Sequence, residues 1–276
     1  PGGGGGGKRL DLVTCEIVPE FTSVKQGTTF RVAVVLNVAP KWHVYWAGQN
    51  DSGMPVGITV TSPQEPTIGP VKGPAPQRHV ASGDILDYIH EGRVVYTFEV
   101  KAPANRASGQ GLELSANIEY LVCDDNGCIP GKANVKTKVT IVKEESTGPA
   151  SSVELIKGAI EKQPKETGWK EAVEAKMQGE QLTLMAKDEG TTEMTFYPAD
   201  RGNKLIDPIK SGTVKGKMLM LQFESMMKKV EGVLEIKGGK HAGVYVVSYH
   251  SMDGMKPEPK PEPTIPQAPA APKPVQ

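Results

Sequence analysis

Apolar side chains at every second position from Leu112 to Val122, running straight into a group of turn formers, restrict this chain more than any other feature. Leu112, Leu114, Ala116, Ile118, Tyr120 and Val122 recur at every second position. That period belongs to a strand with one buried face, whereas a helix would scatter the same residues around its circumference. Asp124 to Gly127 favour a turn, so the chain doubles back where the alternation stops. Two cysteines flank that turn, Cys123 and Cys128, and the reversal brings their sulfurs within bonding reach. Cys123 is out of phase with the apolar set, which places it away from the core the strand builds. Two readings follow. The pair is a redox-active couple, or it is a structural bridge closing a hairpin. A bridge across so short a loop restrains the unfolded chain little, and a unit of this size has core enough without staples, so the redox reading leads.

The same period recurs at Thr28–Val38, at Arg93–Lys101 and at Asn134–Val142, with glycine and proline between. Short strands separated by turns predict an antiparallel β-sandwich over residues 10–143. Within it, Ser62 to Glu91 contains five prolines up to Pro76, then Arg78-His79-Val80, and reads as a long loop. Loops of that length in a compact unit cover or build sites. A polar linker, 144–150, leads to a second β-rich domain over 151–252. It opens with a helix that Ser151-Ser152-Val153-Glu154 would cap, carrying Val153, Ile156, Ala159 and Ile160 as its stripe. A helical turn over Trp169–Met177 follows, then strands near 181–186, 193–197, 217–223, 232–237 and 243–249. Residues 1–9 are a glycine-rich tail, and 253–276 a proline-rich one suited to an extended spacer.

Charge is balanced at 32 basic and 32 acidic residues, which gives no reason to expect nucleic acid or an anionic membrane as partner. No apolar run is long enough to span a membrane, and no secretory signal is visible behind Lys8-Arg9. The third cysteine, Cys15, sits in an alternating first strand and is expected as an inert, buried thiol.

Three elements taken in order resemble one family. Trp42-His43-Val44-Tyr45-Trp46, then Asp51-Ser52-Gly53-Met54-Pro55, then Tyr120 through Cys123 to Cys128-Ile129-Pro130-Gly131, are similar to the periplasmic N-terminal region of the DsbD/ScsB thiol:disulfide interchange proteins. Phe196-Tyr197-Pro198-Ala199 and Gly232-Val233-Leu234 resemble the second periplasmic domain of the ScsB-like branch. The resemblance implies an immunoglobulin-like sandwich, with Cys123 and Cys128 as the catalytic pair of a protein-disulfide reductase system. It implies electrons taken from a membrane-embedded or thioredoxin-like donor domain and passed to oxidised periplasmic proteins, with no cofactor. It also implies a periplasmic location, tethered to a membrane domain where the protein is longer. A cap loop shields the pair in that family; by chain order it falls within Arg78–Glu91, with Tyr88 and Ile89 as the covering side chains.

Cys123 is taken as the attacked sulfur, with the reverse order open. Asp124 and Asp125, if close to Cys123, would disfavour its thiolate. His79 and His90 are candidates to approach the pair as proton donors, and His43 is expected to pack near the first hairpin. Zinc ranks low, because no histidine has a short, regular spacing to the cysteines. The alternative from another class is a non-enzymatic module that binds a protein or copper and carries a structural disulfide. Its copper ligands would be methionines such as Met218, Met220, Met226 and Met227.

Overall fold

The computed structural model describes residues 11–199 and 204–250. The two tails expected at 1–9 and 253–276 lie outside the described residues. The first part runs β1 (Val13–Pro19), β2 (Ser23–Lys25), β3 (Thr29–Val38), β4 (His43–Tyr45), β5 (Gly57–Thr61), β6 (Thr67–Ile68), β7 (Gln77–Ala81), β8 (Ile85–Glu91), β9 (Arg93–Lys101), β10 (Gly111–Asp124) and β11 (Gly127–Val142). They form two sheets, ordered β1-β3-β9-β6 and β2-β11-β10-β4-β8-β7, with β5 also paired to β10. Pairing is antiparallel except that β2 joins β11 in parallel. The alternating sets meet between the sheets. Phe30, Val32, Val34 and Leu36 of β3 pack with Phe98 and Val100 of β9 and with Leu112, Leu114, Ile118 and Val122 of β10. Each such side chain contributes about 1.5–3 kcal/mol on burial.

The second part comprises α1 (Ala150–Glu161), α2 (Trp169–Ala172), β12 (Val173–Gln178), β13 (Gln181–Ala186), β14 (Glu193–Pro198), α3 (Pro208–Ser211), β15 (Thr213–Lys215), β16 (Met218–Gln222), β17 (Lys229–Lys237) and β18 (Gly243–His250). Sheets ordered β12-β13-β16 and β15-β14-β17-β18 enclose a second core around Leu184, Phe196, Leu221, Phe223 and Leu234. Met218 and Met220 face outward here, opposite the buried Leu219 and Leu221.

Several local expectations change. The Ser151–Glu154 capping box does not form: Pro149 is the N-cap and no side chain caps the helix. The Pro149 carbonyl accepts from the Ser152 amide, which puts Ser151 inside the first turn. Helix α1 buries Ile156 against Ala33 and Val35, the apolar pair on the outward face of β3. Residues 62–91 are only in part a loop, since their second half folds into the hairpin β7–β8. Strand β11 starts at Gly127, well before Asn134. Pro130 is tolerated inside it because β2 flanks β11 only at 140–142, leaving no neighbour that needs the missing amide. Gly131 is required nearby, where a Cβ would lie 2.3 Å from the Tyr120 ring.

Candidate functional site

The alternation of β10 carries Val122 into the core and Cys123 to the other face. The hairpin then reverses through a turn at Asp125–Asn126, and register sets Cys123 directly opposite Cys128. Their Cα atoms are 4.1 Å apart, the close spacing of a cross-strand pair without mutual hydrogen bonds, and the two form a disulfide. Cys15 remains free. Cys15 is half-buried rather than fully buried as expected, and that burial lifts its thiol to about 11.

The turn is built by Asp124. Its Oδ1 accepts from the amides of Asn126 at 2.8 Å and Gly127 at 3.0 Å. Those donors hold the exposed carboxyl below its usual range. This carboxylate therefore fixes the hairpin tip, a role distinct from the thiolate-raising one considered from sequence.

Strand β4 lies beside β10 and supplies the neighbours. His43 is opposite Cys123 in register. Tyr45, two residues on and so on the same face, places its Oη 3.9 Å from Cys128 Sγ and 3.4 Å from His43 Nε2. The sulfur carries no hydrogen in the disulfide, so the Tyr45 hydroxyl is the donor. The His43 ring is edge-on to Tyr45 and 5.0 Å from the His79 ring. Burial and the neighbouring His79 both lower the His43 pKa, while Asp87, Glu91 and Asp125 oppose the shift.

Beyond β4 comes β8, with Ile89 opposite Tyr45. Ile89, Tyr45 and Cys123 form one small buried cluster apart from the main core. Of the two side chains expected to cover the pair, Ile89 does so, and from a strand. Tyr88 points from the opposite face of β8 into Trp46 and Tyr197. His90 also misses the disulfide: it is buried on the core side, edge-on to Tyr96.

The burial of the two cysteines is unequal. Cys123 is 1% exposed, while Cys128 stands in the open, followed by exposed Ile129 and Pro130. Cys128 is thus the more accessible of the two sulfurs, whereas Cys123 is the one taken from sequence as the attacked sulfur. The reason is that Cys123 sits on the central strand β10, beneath β4, whereas Cys128 begins the uncovered end of β11.

Sequence reasoning missed the frame behind these contacts. Asp87 is buried and accepts from Ser52 through both carboxylate oxygens, at 2.9 Å from the amide and 2.6 Å from the hydroxyl. Asn50 and Asp51 accept from the Tyr88 and Leu86 amides. Gly53 has φ +74° and lies against Tyr45, where a Cβ would come within 2.3 Å of the ring. The signal was present in Asp51-Ser52-Gly53, which combines side-chain acceptors with a residue free to turn left-handed. Among the described residues, no three His, Cys, Asp or Glu side chains are grouped to hold a metal ion.

Residues 12–140 match the family described as thiol:disulfide interchange protein DsbD, N-terminal. Among solved structures, the N-terminal periplasmic domain of ScsB from Proteus mirabilis aligns at 16% identity and a TM-score of 0.57, covering 86% of this chain and 92% of that one. The two share the fold, and the immunoglobulin-like sandwich expected from sequence is thereby the one observed. The DsbD N-terminal domain of Neisseria meningitidis in its reduced form aligns at 16% identity and a TM-score of 0.26, over 48% of this chain and 90% of that one. A search of curated proteins returned no match.

Proposed function

Residues 12–140 belong to the DsbD N-terminal family, and from that premise we propose that they form a thiol-disulfide exchange module whose working pair is Cys123 and Cys128. The observation that carries the reading is the asymmetry of the bridge, one sulfur open at a hairpin tip and the other buried beneath Tyr45 and Ile89. A purely structural staple has no need of it.

In the first step a partner thiolate attacks Cys128 Sγ, the Cys123–Cys128 bond breaks, and a mixed disulfide joins Cys128 to the partner. The electron pair of the broken bond leaves on Cys123, which must take a proton, because its apolar surroundings disfavour a bare thiolate. In the second step the partner's other thiolate attacks its own sulfur in the mixed disulfide. Cys128 leaves and is protonated, the partner is oxidised and the module is reduced. Run backwards against an oxidised protein, the same steps hand the electrons on. Tyr45 Oη is placed to hold Cys128 as a leaving thiolate, with His43 behind it. We infer a donor of membrane-embedded or thioredoxin-like type and oxidised periplasmic acceptors. No helix of the described residues is long and apolar enough to cross a membrane.

Single-cysteine variants test this. Cys123→Ala should trap a thioredoxin-like partner on Cys128, while Cys128→Ala should trap little. The reverse result would overturn the order of attack. Trapping by neither, or a reduction potential below about −300 mV, would overturn exchange itself.

A further inference from the structure

We propose that the second sandwich is a brace for the shield over the disulfide, acting through Arg78 and Tyr88 as positioning residues. The inference rests on the exchange reading for its purpose, though not for its geometry.

The shield is the hairpin β7–β8, and β7 is the last strand of its sheet. Its tip leaves Val80 and Ile85 exposed, so it has little core of its own. An edge hairpin of this kind opens locally unless something outside it holds it down. The second sandwich supplies that hold. Arg78 Nη2 donates to the carbonyls of Pro208 at 3.1 Å and Ile209 at 2.9 Å. The guanidinium lies so close to Gly212 that a Cβ there would be 2.7 Å from Nη1. From β8, Leu86 and Tyr88 pack with Tyr197 and Val233 in one buried cluster. The Tyr88 and Tyr197 rings meet edge-on at 5.6 Å, and Tyr197 is itself fixed by donating to Glu235 at 2.8 Å.

Strand alternation turns this hold into control of the disulfide. Tyr88 and Ile89 are adjacent, so their side chains leave opposite faces of β8. Tyr88 is gripped by the second sandwich while Ile89 is pressed on Cys123 and Tyr45. Lifting Ile89 off the sulfur requires β8 to move, and β8 cannot move without parting Tyr88 from Tyr197. Loosening the grip should hydrate Cys123, make it a better leaving group and speed reduction.

The test uses the whole oxidised chain and dithiothreitol, a small thiol that needs no docking surface. Arg78→Ala and, separately, Tyr197→Leu should each raise the rate of disulfide reduction at least roughly tenfold, the scale of a lost hydrogen bond to a charged group in the first and of a lost edge-on ring pair in the second. Faster hydrogen exchange at the Tyr88 and Ile89 amides should accompany this, with the β3 and β10 amides unchanged. Ile89→Ala calibrates the shield and should accelerate reduction too. If Ile89→Ala accelerates and neither brace variant does, the brace is refuted and the exchange reading stands. If the brace variants accelerate but neither single-cysteine variant traps a protein partner, the brace stands and the exchange reading falls. If Arg78→Ala does not fold, Tyr197→Leu decides, since the substituted residue lies on β14, outside the β7–β8 hairpin. If both fail to fold, exchange in the unaltered chain decides: Ile89 exchanging as fast as the exposed tip of β7–β8 would overturn the brace.

Discussion

Replacing His90 with phenylalanine should flatten the acid limb of the stability profile. His90 is 4% exposed, and its Nε2 has no hydrogen-bond partner. Burial alone lowers its pKa from 6.5 to about 4. The unfolded chain takes up a proton near 6.5, and the folded chain resists until about 4. Between those values the unfolded state binds more protons, so stability falls as pH falls. Above the window the titration of the group takes nothing from stability, and below it the loss is complete. A gap of about two and a half pH units amounts to about 3 kcal/mol, a large share of the 5–15 kcal/mol that a typical fold has. Urea titrations at pH 7 and pH 4 should therefore show the native chain losing about 3 kcal/mol more than His90→Phe. Carboxylates add their own slope, but they are common to both proteins and cancel in the difference. Because His90 follows Ile89 on β8, protection of the Ile89 amide should drop in the same window. Parallel losses in the two proteins, within about 1 kcal/mol, would refute the argument, for His90 would then be solvated or paired when the chain is folded.

Gly53→Ala should destabilise the first sandwich by about 1–3 kcal/mol, by strain at a left-handed φ and by collision with the Tyr45 ring; thermal unfolding would register it. Tyr45→Phe should raise the pKa of Cys128 in the reduced protein by removing the hydroxyl nearest its sulfur, read from the ultraviolet absorbance of the thiolate. Alkylation at neutral pH should leave Cys15 unmodified in the folded chain and label two further thiols after mild reduction; labelling of Cys15 at a normal thiol rate would contradict its burial.

Strands β3, β9 and β10 were legible because each has one face on the core, which writes a period of two into the sequence. The hairpin β7–β8 was not, since both its faces are occupied. His79, Asp87 and Ile89 serve the disulfide side, while Leu86, Tyr88 and His90 serve the other, so no clean alternation survives. Strand β11 was read short because Pro130 and Gly131 look like breakers, whereas an open flank admits one and the Tyr120 ring demands the other. The cysteine pair itself was legible, as local spacing and phase are enough to find it. Its neighbours were not, because Tyr45 and Ile89 arrive from strands distant in the chain and are brought there only by register. Which sulfur stands open depends on which strand of the hairpin has a neighbour, and that too is a fact of sheet order.

The seat of α1 on the outer face of β3 has a practical meaning for anyone wishing to isolate the first sandwich. A fragment cut at the end of β11 would strip Ile156 from Ala33 and Val35 and present bare apolar surface to water, inviting self-association. It would also remove Gln163, which donates at 2.8 Å to the Thr97 hydroxyl on β9. Lys165, two residues later, is already hydrogen-bonded to Val244 and Val246 of the other sandwich. The chain thus changes allegiance at Pro164, and a fragment that keeps its own covering helix should end there.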